Sequence, residues 1–114
     1  MNARWFAAAG ALLCGIAVAL GAYASHAADP AVRPRLVIAA VFAFGHGLAL
    51  VAVRARIGTL ALLARSALLA GVLLFAGSLA WAAATGGPAR LAPAGGMLLM
   101  LGWLLAAFEL SRED

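Results

Sequence analysis

The charged residues of this chain are spaced so that they separate four long uncharged stretches. These stretches cover residues 5–28, 36–53, 66–89 and 91–108, which are 24, 18, 24 and 18 residues long. An α-helix needs about 20 apolar residues, with a range of about 17–25, to cross the roughly 30 Å hydrocarbon core of a bilayer. Backbone amides without partners are too costly in lipid, so each stretch must be helical. The spacing therefore predicts four membrane-crossing helices.

The composition supports lipid as the surrounding medium. Hydrophobic residues make up 67% of the chain and charged residues 11%, against about 45–50% and about 25% in soluble domains. The formal net charge is +4. The arginines lie between the apolar stretches and do not cluster on one surface, which argues against nucleic-acid binding. The lipid bilayer is the expected partner.

Local signals place the ends of the helices. Thr59 is a candidate N-cap for the third helix, which would put Arg65 inside that helix, with its guanidinium extended to the lipid headgroups. Glycines and a proline at residues 86–88 predict the end of the third helix.

We predict one all-α transmembrane domain over residues 1–114, an integral membrane four-helix bundle with up-down-up-down topology. Its helices are expected at about residues 5–25, 36–53, 59–84 and 94–109.

Four crossings place both termini on one side of the membrane. That side would carry five arginines, and the other would carry three: Arg33, Arg35 and Arg90. The positive-inside bias then predicts that both termini are cytoplasmic. An alternative is that residues 1–27 are a cleaved secretory signal. Their apolar stretch, however, is longer than the about 7–15 apolar residues that are usual in a signal peptide. We therefore expect the first helix to be retained.

Small residues are the expected contacts between the helices, because close packing drives helix association in lipid. We predict packing contacts at five glycines on three helices: Gly15, Gly21, Gly71, Gly95 and Gly102.

His46 is the residue that most suggests a function. It lies inside the second predicted helix, where a polar side chain is costly and usually faces the bundle interior. As a functional group it could carry protons, bind a metal or haem, or donate a hydrogen bond to a ligand. The structural interpretation, which we favour, is a hydrogen bond to Ser78 or to a backbone carbonyl. His26 is expected at the end of the first helix, where it would cap carbonyl groups.

No recognisable catalytic arrangement is present in the sequence. It contains neither a CxxC motif nor a phosphate-binding glycine loop. Two histidines without a nearby carboxylate make a weak metal site, and the single Cys14 fits a small buried residue better than a lipid-modified one. We expect no cofactor, no metal and no enzymatic activity. Glu109 falls at the end of the fourth helix, where we expect it to be solvated or paired with an arginine.

Five short motifs, in this order, resemble the domain-of-unknown-function 423 family of small bacterial membrane proteins. They are residues 21–26 (GAYASH), 46–50 (HGLAL), 75–79 (FAGSL) and 93–97 (PAGGM), and then Gly102-Trp103. The resemblance implies a retained first helix and a four-helix protein of the bacterial inner membrane. It implies no activity.

Two main functional hypotheses follow. The first is a structural or accessory four-helix bundle, with a second copy or another membrane protein as its partner. The alternative is a small transporter or channel that uses His46 and Ser78 within the membrane. His26 is a further candidate for a functional polar site.

Overall fold

The computed structural model describes residues 2–26, 28–52 and 58–112. This part of the chain forms four α-helices, α1 (Ala3–His26), α2 (Arg33–Ala52), α3 (Thr59–Thr85) and α4 (Ala92–Ser111). Each of them is long and apolar enough to cross a membrane. The all-α fold expected from the sequence is confirmed. The predicted end of the second helix at Val53 lies outside the described residues.

Prolines lie in the first turns of two helices. α2 begins at Arg33, earlier than predicted, because Pro34 fits a first turn in which its missing N–H has no helical acceptor. α4 begins at Ala92, with Pro93 likewise in its first turn. α3 begins at residue 59, as predicted, but Thr59 is its first helical residue and the N-cap is Gly58.

The end of α3 follows the glycine-rich signal in the sequence. Gly86 adopts a left-handed conformation with φ of 76°, and its N–H donates to the carbonyl of Ala82 at 2.8 Å. Glycine is suited to this conformation because it has no Cβ to clash with the backbone.

The bundle consists of two helical hairpins, α1–α2 and α3–α4, which pack together along α2 and α3. Among the described residues the backbones of α1 and α4 do not approach each other. The core runs between the hairpins around Val72, which is completely buried, with Leu13, Ala43 and Leu99 packed about it. The long axis of the molecule measures 50 Å.

Glycines form the closest contacts between helices. Gly10 of α1 faces the backbone of Gly47 of α2, and a Cβ added at Gly47 would lie 2.6 Å from the carbonyl oxygen of Gly10. In the other hairpin, a Cβ at Gly71 would lie 2.9 Å from Leu99, and one at Gly102 would lie 2.9 Å from Leu68. Gly95 lies against the backbone of Phe75. Gly71, Gly95 and Gly102 are therefore at the contacts that the sequence predicted.

The packing contacts predicted for α1 at Gly15 and Gly21 are wrong. A Cβ added at Gly15 or Gly21 would meet no atom within 4 Å among the described residues. α1 buries a different face, which includes Phe6, Gly10 and Leu13. The small residues around Gly15, such as Ala11 and Ala19, instead lie on the exposed surface of the hairpin.

Candidate functional site

His46 lies half-buried in α2, and both of its ring nitrogens have protein partners. Nδ1 is 2.9 Å from the carbonyl oxygen of Phe42, one turn earlier in the same helix. Nε2 accepts a hydrogen bond of 2.9 Å from the indole N–H of Trp103 in α4. A carbonyl oxygen only accepts hydrogen bonds and an indole N–H only donates them, so this arrangement requires a neutral imidazole with its proton on Nδ1.

Aromatic rings hold the imidazole in position. The ring of Phe42 stacks on that of His46 with an angle of 17° between their planes and 5.7 Å between centroids. On its other side, Phe42 packs against Phe75 of α3, with centroids 4.5 Å apart. Residues of α2, α3 and α4 thus form one aromatic cluster, consisting of Phe42, His46, Phe75 and Trp103.

This geometry restricts the chemistry of His46. An imidazolium carries an N–H on both ring nitrogens, so its Nε2 could not accept the hydrogen bond from the indole N–H of Trp103. A metal ion would need the same Nε2 lone pair. Within residues 2–26, 28–52 and 58–112, no group of three or more His, Cys, Asp or Glu side chains could hold a metal. The cluster has the geometry of an interhelical contact.

The expected backbone-carbonyl partner of His46 is present, but Ser78 is not its partner. The hydroxyl of Ser78 accepts a hydrogen bond of 3.2 Å from the backbone N–H of Leu91. Phe42 of α2 packs on Phe75 of α3, and these two helices are antiparallel. His46 follows Phe42 and Ser78 follows Phe75, so the two residues are displaced in opposite directions and lie about seven residues, or roughly 10 Å, apart along the bundle. The two side chains therefore do not form one polar site.

His26 is also distant from His46. It is exposed at the end of α1, and the Gly10–Gly47 crossing places it roughly 22 Å from His46 along the helix axis. Arg33 carries out the capping role expected of His26. Its guanidinium donates to the carbonyls of Ala24 at 2.8 Å and Ala28 at 3.2 Å.

Trp103 contacts His46 but was not predicted as a site residue from the sequence. In the sequence, Trp103 stands out only as part of the Gly102-Trp103 motif. The glycine explains the signal, because Gly102 lets α4 approach Leu68 of α3 closely and so brings the next residue, Trp103, within reach of α2.

A second polar region lies at the end of the bundle where α3 begins. Arg65 is 7% exposed and Glu109 is 6% exposed, so Arg65 does not extend to the headgroups and Glu109 is not solvated. The other expectation for Glu109, pairing with an arginine, stays a prediction. The Arg65 side chain runs back along α3, and its guanidinium donates to the carbonyl of Ala61 at 3.1 Å. The contacts Gly71–Leu99 and Gly102–Leu68 fix a register in which Glu109 lies level with Ala61. Opposite charges are thus buried at one level.

A cavity of about 580 Å³ lies at the other end of α3, on the bundle surface. Its walls combine one face of α3 with the connection to α4, and its lining includes Leu73, Leu74, Gly77, Trp81, Arg90 and Leu91. The cavity was not predictable from the sequence, because it depends on how the connection folds back over α3.

The family model described as "Protein of unknown function (DUF423)" matches residues 20–96, which is more than half of the chain. No curated protein and no solved structure matches the chain.

Proposed function

The chain belongs to the DUF423 family of proteins of unknown function, and we propose that it is a non-enzymatic structural or accessory protein of the bacterial inner membrane. The single observation that supports this proposal most strongly is the pair of hydrogen bonds at His46. Both ring nitrogens are used inside the protein, so the residue contributes to holding the helices together. An accessory role requires a partner, which is either a second copy of the chain or another membrane protein.

The distribution of arginines supports an orientation with both termini in the cytoplasm. Arg33, Arg35 and Arg90 lie at the end of the bundle opposite the termini, and five arginines of the sequence belong to the other side. Arg54 and Arg56, which contribute to that difference, lie outside the described residues.

Proton flux through reconstituted liposomes tests the structural role against transport. We expect liposomes containing the wild-type protein to dissipate a pH gradient no faster than empty liposomes, with a proton ionophore as the positive control. His46→Ala should leave this baseline unchanged. Flux that depends on His46 would contradict the structural proposal and favour a transporter or channel.

A further inference from the structure

The surface cavity at the end of α3 has an apolar part that runs along the helix. Leu73, Leu74 and Trp81 lie on one face of α3, and Gly77 lies between them. A Cβ added at Gly77 would meet no atom of the described residues within 4 Å, so the missing side chain opens the middle of the groove. From Leu73 to the end of α3 at Thr85 the groove extends about 18 Å, close to half of the roughly 30 Å hydrocarbon core. This length suits one acyl chain.

The other end of the cavity is polar and positively charged. The hydroxyl of Thr85 donates to the carbonyl of Trp81 at 2.8 Å, and the hydroxyl of Ser78 accepts from Leu91 N–H at 3.2 Å. The bond to Trp81 lies within α3, but the Thr85 hydroxyl also accepts from Gly87 N–H at 3.4 Å, and this bond and the Ser78–Leu91 bond hold the connection over the end of α3. The positive charge of this end comes from its arginines.

Two arginines converge on this connection. Arg90 lines the cavity, and no described residue accepts a hydrogen bond from its guanidinium. Arg35 of α2 donates to the carbonyl of Gly87 at 3.4 Å, which leaves most of its five N–H donors available. The acid at this end of the bundle is Asp29, which accepts a hydrogen bond from Ala31 N–H at 2.8 Å. Arg33, Arg35 and Arg90 outnumber it, so this end carries a net positive charge.

The depth of the cavity matches that of a bilayer leaflet. Trp81 is 70% exposed one turn before the end of α3, in the position of the tryptophans that lie at the membrane interface. The arginine end of the cavity then lies at the level of the headgroups and the leucine end lies in the hydrocarbon. The volume of about 580 Å³ is within the roughly 300–1,000 Å³ range of ligand pockets.

We propose that this groove is a binding site for one anionic phospholipid, with its phosphate at Arg90 and Arg35 and one acyl chain along α3 over Gly77. Guanidinium groups bind phosphate through paired, charge-assisted hydrogen bonds. The lipid lies in the leaflet opposite the termini and covers apolar surface that the protein leaves exposed. This inference is independent of the structural role proposed above.

Native mass spectrometry tests the site directly. The full chain is purified in detergent and incubated with an equimolar mixture of phosphatidylglycerol and phosphatidylcholine that carry identical acyl chains. We expect the wild-type protein to retain one phosphatidylglycerol molecule in preference to phosphatidylcholine. Arg90→Gln should weaken this retention about tenfold, as expected for the loss of a charged hydrogen-bonding partner. Gly77→Leu should abolish retention of both lipids, because the new side chain fills the groove.

Two matched controls separate the site from general effects of charge and bulk. Arg4→Gln removes an arginine at the opposite end of the bundle, and Gly15→Leu adds a leucine at another glycine with open space beside it. Both should bind phosphatidylglycerol like the wild-type protein. Equal retention of the two lipids by the wild-type protein, or wild-type binding by either Arg90→Gln or Gly77→Leu, would overturn the proposal. Arg90 is exposed and Gly77 has open space, so both variants are expected to fold.

Discussion

At the scale of single residues, the structure explains how a polar side chain is tolerated within a membrane helix. The imidazole of His46 uses a backbone carbonyl of its own helix and the indole N–H of another helix. An unpaired polar group is costly in hydrocarbon, so satisfying both nitrogens removes most of the penalty of placing a histidine there. The same pairing fixes the tautomer.

The hydrogen bonds of His46 predict which of its ring nitrogens carries the proton. The hydrogen bonds require a neutral ring with the proton on Nδ1, because Nε2 accepts from Trp103. In ¹⁵N spectra of the protein in lipid at neutral pH, His46 should show a protonated Nδ1 and an unprotonated Nε2. Exposed His26 serves as an internal reference that lacks this fixed pairing. An imidazolium signal for His46, or the opposite tautomer, would contradict the assigned contact.

At the scale of helices, the contacts depend on where glycine lets two backbones approach. The Gly10–Gly47 crossing holds α1 against α2, and Gly71, Gly95 and Gly102 hold α3 against α4. Association in lipid relies on this close packing, because apolarity alone does not distinguish a helix from the surrounding tails. The glycines that carry no contact, such as Gly15, are the natural controls.

Leucine substitutions at two glycines test this packing. Gly102→Leu should destabilise the bundle by about 1–3 kcal/mol, as overpacking does, because even a Cβ at this position lies 3.1 Å from the backbone nitrogen of Leu68. Gly15→Leu should change the free energy of unfolding by less than about 0.5 kcal/mol. Thermal or chemical unfolding in the same detergent measures both. Equal effects of the two variants, or an unchanged melting temperature for Gly102→Leu, would be inconsistent with the observed helix contacts.

The sequence was sufficient to predict the helices but not which of their faces meet. The spacing of charged residues predicted four spans, and Thr59 and the breakers at residues 86–88 placed the ends of the third, so all four helices were found close to their observed bounds. The packing face of α1 was not predictable, since small residues occur on more than one side of that helix and lipid-facing and buried positions are both apolar. For the same reason the partner of His46 could not be identified from sequence. The Trp103 contact depends on the closeness of α3 and α4 at Gly102.

At the scale of the whole molecule, two hairpins meet along α2 and α3, and polar contacts occur at three levels. Arg65 and Glu109 are buried at one end, the His46–Trp103 bond lies within the membrane span, and Arg33 and Arg35 hold the connections at the other end. Polar contacts of this kind supplement close packing in membrane bundles. The exterior is largely apolar, as four lipid-facing helices require.

The orientation proposed for the molecule has a direct test. Alkaline phosphatase folds to an active form outside the cytoplasm, so its fusion to the C-terminus should be inactive if both termini are cytoplasmic. The same reporter inserted after Gly87, in the α3–α4 connection, should be active because that connection lies at the other end of the bundle. The reverse pattern of activities would contradict the proposed orientation.

His46 joins the two hairpins through its hydrogen bond with Trp103, and a double-mutant cycle measures the strength of this contact. The free energy of unfolding is determined in lipid bicelles for the wild-type protein, His46→Ala, Trp103→Phe and the double variant. We predict a coupling energy of about 1 kcal/mol between the two positions, typical of interhelical hydrogen bonds in membrane proteins. Strictly additive effects of the two substitutions would contradict the claim.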